Sequence, residues 1–303
     1  MKILLIGQAA FAEQVLDRLR ADGHEVVGVY CPPDSIGGKP DPVKVRAQAL
    51  GIPLRQHASL KGAEVRREFE QYAADLGVLA YVTQIVPRQV FEVPRLGSIC
   101  FHPSLLPRYR GGSAINWQII KGETETGVSV FWVDPGIDTG PVLLQKRAAI
   151  AADDTAGSLY YNTLFRLGVD AVVEAVQLVA AGTAPRLVQD EAQASYDPLC
   201  RDEHARIDWS APLDRIYNLI RGCDPQPGAY ALLQGEKLRL YECRAFAGGA
   251  HRAGVIEDIS SDGLVIGAPG GVIRAKRVRM RDQKLDAVTF AAQHHITSGV
   301  QLS

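Results

Sequence analysis

Ser98-Ile99-Cys100-Phe101-His102-Pro103-Ser104-Leu105-Leu106-Pro107-Arg108-Tyr109-Arg110-Gly111-Gly112 starts as a buried strand and leaves it at a proline. Pro103 has no amide hydrogen and a fixed φ, so the strand stops there and turns the His102 imidazole toward the carboxyl edge of its sheet. Pro107 stiffens the exit loop, which suits a side chain that must be held within about half an ångström. Further along, an apolar run at 127–133 leads into Asp134-Pro135-Gly136-Ile137-Asp138-Thr139-Gly140. A histidine closing one buried strand and an aspartate in the loop after the next can meet across a cleft, an arrangement suited to proton transfer.

Outward from this stretch, strand-like and helix-like segments alternate through the first 150 residues. Strands are expected at 3–6, 24–31, 76–82, 98–102, 127–133 and 142–150, and helices at 11–22, 43–50, 62–74, 114–121 and 155–181. Such alternation gives an α/β domain with a mostly parallel sheet and helices on both faces. Asp134 and Asp138 then fall at a strand's end, where ligands bind in open sheets of this kind. Residues 183–204, rich in Ala, Pro, Gln and Asp, lack periodicity and read as a surface linker. Beyond it, a helix at 212–221 and short β-runs at 228–233, 237–246, 254–259, 263–266 and 271–279 predict a small antiparallel barrel. The expected domains are 1–182 and 205–303.

The chain has 303 residues, 47% hydrophobic and 22% charged, with a net charge of -1, so no global attraction to nucleic acid or anionic membrane exists. Cys31, Cys100, Cys200, Cys223 and Cys243 are widely spaced without a Cys-x-x-Cys pair, which suggests neither a disulfide framework nor a metal site and fits a reducing cytoplasm. No apolar run approaches the ~20 residues that span a bilayer, so a soluble, unprocessed cytoplasmic protein is expected. Gly7-Gln8-Ala9-Ala10-Phe11 has one glycine where a dinucleotide fingerprint needs three, and no phosphate-binding Gly-Lys-Ser/Thr loop occurs. Neither a nicotinamide cofactor nor nucleotide-driven phosphoryl transfer is expected.

Taken singly, His102 also reads as a structural hydrogen-bonder and Asp138 as a turn former. Their pairing favours chemistry, with Gly136 and Gly140 allowing a tight loop and Thr139 placed to orient Asp138. Arg108 and Arg110 are candidates for a ligand carboxylate or phosphate, or else solvated loop charges.

The His-Pro-Ser-Leu-Leu-Pro and Gly-Ile-Asp-Thr-Gly segments resemble the signature of the folate-dependent formyltransferase family, which includes glycinamide ribonucleotide and methionyl-tRNA formyltransferases. The hydrolase domain of 10-formyltetrahydrofolate dehydrogenase is the most similar branch. His24-Glu25-Val26-Val27-Gly28-Val29, Pro94-Arg95, Ser113-Ala114-Ile115-Asn116-Trp117, Ile207-Asp208-Trp209 and Ile220-Arg221-Gly222 extend the match through nearly the whole chain. The resemblance implies a Rossmann-like formyltransferase domain, a C-terminal OB-like barrel, and 10-formyltetrahydrofolate as one-carbon donor. It implies a pterin cleft lined by Gln84, Ile85 and Val86 and by the loop from Trp132 through Asp134 to Asp138, with the formyl group pointing at His102 and Asp138. Pro103, Ser104, Leu105, Arg108 and Arg110 would line the substrate side.

Cys100 departs from the pattern. Most family transferases carry asparagine there, whose amide donates to the formyl oxygen, and the hydrolase branch carries an aliphatic residue. A thiol is a weak donor, and loss of one oxyanion donor costs about 2.7–4 kcal/mol in known cases. Cys100 reads either as a small buried apolar residue or as a catalytic thiol.

For the acceptor, 201–303 holds fourteen Lys and Arg against twelve Asp and Glu, and only Arg274, Lys276, Arg277, Arg279, Arg281 and Lys284 form a phosphate-like patch. Water or a small amine fits better than tRNA. Three functions follow: formyl transfer to an amine or methionyl-tRNA, hydrolysis to formate and tetrahydrofolate, or folate binding with impaired catalysis. Oxidation by an appended dehydrogenase module is not expected.

Overall fold

The structure, a computed structural model, describes residues 1–303. Strands β1 (Lys2–Gly7), β2 (Glu25–Cys31), β3 (Leu54–Gln56), β4 (Leu76–Ala80), β5 (Ser98–His102), β6 (Glu125–Trp132) and β7 (Val142–Ala149) form one sheet in the order β3-β2-β1-β4-β5-β6-β7. The strands from β3 to β5 pair in parallel, and β6 runs antiparallel to β5. Apart from Lys2, β1 and β4 are buried throughout, as central parallel strands covered on both faces must be.

Helices α1 (Ala9–Ala21), α2 (Pro42–Ala49), α3 (Ala63–Gln71), α4 (Arg88–Phe91), α5 (Ala114–Ile120), α6 (Ala156–Leu159) and α7 (Phe165–Ala180) intervene or follow. The α1 residues Phe11, Ala12, Val15, Leu16 and Leu19 make one buried stripe at helical spacing. Phe11 lies 4.4 Å from Phe101 and 5.6 Å from Phe165 between ring centroids. This fixes which way β5 faces. Because strand side chains alternate, Phe101 enters that aromatic cluster while Cys100 and His102 point to the opposite face.

The expected helix at 155–181 is interrupted by a π turn at Tyr160–Leu164 between α6 and α7. A parallel strand at β3 and a short helix at α4 lie where no segment was expected, since three or four residues show no periodicity. Asp41 occupies the start of α1, accepting from the Ala9 amide at 2.9 and 3.0 Å, and also caps α2. The turn after β1 therefore uses the protein's own carboxylate at the position where nucleotide-binding folds place a phosphate.

The later residues hold α8 (Leu213–Gly222), β8 (Tyr230–Leu233), β9 (Glu236–Ala247), β10 (Ile256–Ser260), β11 (Gly263–Ala268), β12 (Gly271–Met280), β13 (Gln283–Asp286) and α9 (Ala287–Gln293). The second sheet is antiparallel in the order β10-β11-β12-β9-β8, with β13 beside β12. Residues 300–303 join its two edges. Ser303 exchanges backbone hydrogen bonds with Leu232 of β8 at 2.6 and 3.0 Å, and Val300 accepts from Ile256 of β10 at 2.8 Å. The barrel closes through this tail, leaving neither edge unpaired there.

The chain forms two compact units, one of 1–112, 127–148 and 163–196, the other of 113–126, 149–162 and 197–303. The segment expected as a linker is shared between them, and its first part is paired: Leu187 and Val142 exchange hydrogen bonds at 2.8 and 2.9 Å.

Candidate active site

The exit loop after β5 is built on buried hydroxyls. The Ser129 hydroxyl on β6 donates to the Ser104 carbonyl at 2.6 Å and accepts from the Leu106 amide at 3.1 Å. Gln145 on β7 donates to the Leu106 carbonyl at 2.8 Å, and the Ser104 hydroxyl to the Arg108 carbonyl at 2.7 Å. Ser104 is fully buried, so it holds the loop and does not face a ligand. Leu105 packs over Gly127, where any side chain would collide with it.

His102 is 5% exposed. Its Nε2 lies 2.7 Å from the Tyr109 carbonyl oxygen, and its Nδ1 lies 3.4 Å from Oδ2 of Asp138. A carbonyl only accepts, so Nε2 carries the hydrogen and Nδ1 is the nitrogen that faces Asp138. Oδ2 also accepts from the Gly111 amide at 2.8 Å. The histidine and aspartate expected to meet are brought together.

The route to that meeting differs from the expected one. Since β6 is antiparallel to β5, its carboxyl end lies beside the start of β5, with the Val133 amide donating to the Ser98 carbonyl at 2.8 Å. Asp138 therefore reaches His102, at the carboxyl end of β5, from a loop that starts at the opposite edge of the sheet. Its loop comes back across the β5 face that bears Cys100 and His102. Asp138 itself adopts a left-handed φ of 56°, a conformation the flanking glycines were expected to absorb. Thr139 orients Asp134 rather than Asp138, its hydroxyl donating to Asp134 Oδ1 at 2.7 Å while the Gly136 amide donates to the same oxygen at 3.0 Å.

Cys100 lies on the same face and is partly buried, with its thiol 3.5 Å from the Phe101 carbonyl. Burial first, and then the Asp138 carboxylate, push this thiol well above the ordinary cysteine range. It stays an S–H group.

Arg110 is not presented to a ligand. Its side chain is 8% exposed, and the guanidinium donates to Oε1 of Gln189 at 2.8 and 3.2 Å and to both oxygens of Glu191 at 2.7 and 2.9 Å. Arg108 lies 5.3 Å from the Tyr109 ring centroid. Trp132 donates its indole N–H to the Pro185 carbonyl at 2.9 Å, with the Arg186 guanidinium 3.8 Å above its ring. Gln84 donates to the carbonyls of His57 and Ala58 at 3.2 and 3.3 Å and borders a groove formed with Gly7, Gln8, Tyr30, Pro32 and Thr83. Ile85 is 70% exposed, while Val86 packs against the apolar cluster of Leu4, Ile6 and Tyr30. No contact links Gln84, Ile85 or Val86 to His102. The residues missed from the sequence are Gln189, Glu191 and Ser195, because a segment without periodicity gives no sign of what it touches.

Models of known families match over the residues of this site and beyond them: formyl transferase over residues 1–176 and the formyl transferase C-terminal domain over residues 200–295. The chain belongs to the formyl transferase family. It is 39% identical over 320 residues to the mitochondrial 10-formyltetrahydrofolate dehydrogenase of Mus musculus, covering 100% of this chain and 34% of that protein. It is 36% identical over 308 residues to the methionyl-tRNA formyltransferase of Geobacter metallireducens, covering 100% of this chain and 98% of the relative. The chain thus spans about a third of the dehydrogenase it matches and nearly all of the transferase. Among solved structures, HypX from Aquifex aeolicus in complex with tetrahydrofolic acid superposes with a TM-score of 0.73 at 20% identity, over 97% of this chain and 47% of that one. Formyl transferases are enzymes that use a formylated tetrahydrofolate, and the Rossmann-like sheet with a second antiparallel sheet is the fold expected from the sequence. No helix is long and apolar enough to cross a membrane.

Proposed function

We propose that the protein takes the formyl group from 10-formyltetrahydrofolate and passes it to water, releasing formate and tetrahydrofolate. The contact of His102 Nδ1 with Asp138 Oδ2 at 3.4 Å carries this reading. Both side chains are largely buried, yet the distance exceeds a tight hydrogen bond, so a small oxygen group can take up either partner.

In the proposed reaction Asp138 accepts a proton from water as its oxygen bonds to the formyl carbon, and His102, which this step requires with hydrogens on both ring nitrogens, donates a hydrogen bond from Nδ1 to the developing oxyanion while Nε2 stays on the Tyr109 carbonyl. The carbon–N10 bond then breaks and N10 takes the proton held by Asp138, so one water yields one secondary amine and one formic acid, which ionises to formate and a proton released to solvent. Cys100 is a neutral, apolar neighbour in this scheme, since a thiol kept protonated is a poor nucleophile. Ile85 and Ile137, 70% and 53% exposed, offer apolar surface to the flat pterin. Gln84, Val86, Trp132 and Asp134 are proposed to border it.

A second reading, formylation of methionyl-tRNA, is favoured by the 98% coverage of the Geobacter metallireducens enzyme. The charge pattern opposes it. On the β12–β13 hairpin, Arg274 pairs with Asp262, Arg277 with Glu242 and Arg281 with Glu236. Incubation with 10-formyltetrahydrofolate alone tests the proposal: stoichiometric formate and tetrahydrofolate are expected. Turnover that starts only when methionyl-tRNA or an amine is added would assign the protein to transfer, and tight folate binding without turnover to the impaired class.

A further inference from the structure

Residues 187–196 run beside both loops of the site, and their side chains reach Asp138 directly, at its backbone carbonyl, and His102 through Tyr109. On the aspartate side stands Gln189, 6% exposed. Its Nε2 donates to the Asp138 carbonyl at 2.8 Å and to the Gly140 carbonyl at 2.7 Å, and its Oε1 accepts twice from Arg110. Both amide hydrogens and the oxygen are used. On the histidine side stands Ser195. Its hydroxyl accepts from the Tyr109 amide at 2.8 Å and its carbonyl from the Arg110 amide at 2.9 Å, while its own amide donates to the Pro107 carbonyl at 3.2 Å.

The two residues held in this way share a property. Tyr109 has φ of 60° and Asp138 of 56°, left-handed conformations that cost a side-chain-bearing residue about 1–3 kcal/mol unless the surroundings impose them. Tyr109 presents the carbonyl that fixes His102 Nε2; Asp138 presents the carboxylate that faces Nδ1. Between them, Glu191 grips Arg110 through two oxygens, locking the arginine that in turn locks Gln189.

We infer that residues 187–196 form a strap that positions the catalytic pair, with Gln189 the positioning residue for Asp138 and Ser195 that for His102. The inference rests on the reading of His102 and Asp138 as the catalytic pair. Arg110 is then a structural rivet between strap and loop, and the strap works from outside the reacting atoms.

Four substitutions at three positions in the full chain test it, read by turnover of 10-formyltetrahydrofolate and by the ring-nitrogen NMR signals of His102. Gln189→Leu keeps bulk but removes both donors, and kcat is expected to fall about 100-fold with KM for the donor nearly unchanged, the size of effect that small misplacements produce. Ser195→Ala lowers kcat in the same manner, and Ser195→Thr, which keeps the hydroxyl, restores most of it. Glu191→Ala, on an exposed side chain but one that takes two hydrogen bonds from the buried Arg110, lowers kcat about two- to fivefold in protein checked to be folded, because Arg110 keeps its two bonds to Gln189.

In the NMR spectra Gln189→Leu shifts Nδ1 of His102 as Asp138→Asn does, and Ser195→Ala disturbs the Nε2–H signal. Wild-type kcat in folded Gln189→Leu, or His102 ring signals identical to wild type in both strap variants, overturns the strap. If instead His102→Ala and Asp138→Asn keep full turnover, the catalytic reading fails, and the ring signals still decide whether the strap places these side chains.

Discussion

The loops around His102 and the β12–β13 hairpin invite opposite guesses from charge alone. The hairpin carries six cations, four exposed and two half-buried, and three of them face carboxylates across or along the barrel. The His102 loops carry fewer charges, yet His102 and Arg110 are buried and bound to backbone or to a single carboxylate partner. An exposed charge meets water and its neighbours at little energetic consequence, whereas a buried one persists only where the fold holds it. Polar groups held in place, rather than abundant charge, mark the site.

The sharpest way to break this contrast is to remove the held pair. His102→Ala and Asp138→Asn are each expected to reduce turnover of 10-formyltetrahydrofolate by about 10²–10⁴-fold, the range of a positioned acid or base. Rates near wild type in either variant would leave the buried region with no more claim to the chemistry than the hairpin.

Cys100→Ala asks whether the neighbouring thiol belongs with the held groups. Its S–H is a weak donor and stays protonated, so kcat is expected to remain within about threefold of wild type. A loss of the size seen for His102→Ala would make the sulfur part of the reaction. On the hairpin, Lys276→Ser is expected to leave hydrolysis within about twofold, since an exposed strand cation is solvated. A steep loss confined to methionyl-tRNA as acceptor would turn the comparison around and give the hairpin a role.

The smallest effect concerns acid. Hydrogen bonds from Arg239 and then Lys237 lower the Asp202 carboxyl to about 2. A carboxyl depressed in the folded state stabilises above its unfolded value of about 4, and that contribution is lost as pH falls from there through the folded value. Denaturant midpoints measured between neutral pH and acid should fall slightly less for Asp202→Asn than for wild type. With this side chain 45% exposed, added salt should shrink the difference.

Much of this was legible in the residues. Period-two and helical patterns located the long strands and helices because long amphipathic elements repeat their signal many times. The π turn at Tyr160–Leu164 and the short β3 repeat nothing, so they left no trace. At the site, His102 and Asp138 stood out because proline and glycine punctuate their loops. Gln189, Glu191 and Ser195 did not, for their meaning lies in partners some fifty to ninety residues away along the chain. The antiparallel turn of β6 was hidden for a related reason: strand direction is set by pairing, which an apolar run does not encode.

The interleaving of the two units has a consequence for how such a protein can be altered. Helix α5 and residues 149–162 belong with the later unit, although each is flanked in sequence by parts of the earlier one. Asn116 on α5 donates to the Gly222 and Gln226 carbonyls at 2.8 and 2.9 Å, and Tyr217 to Asp153 at 2.8 Å. A chimera joined at residue 204 would inherit one parent's barrel and the other parent's α5, with mismatched surfaces at both contacts. A swap of the whole later unit between relatives therefore requires three co-inherited pieces, 113–126, 149–162 and 197–303.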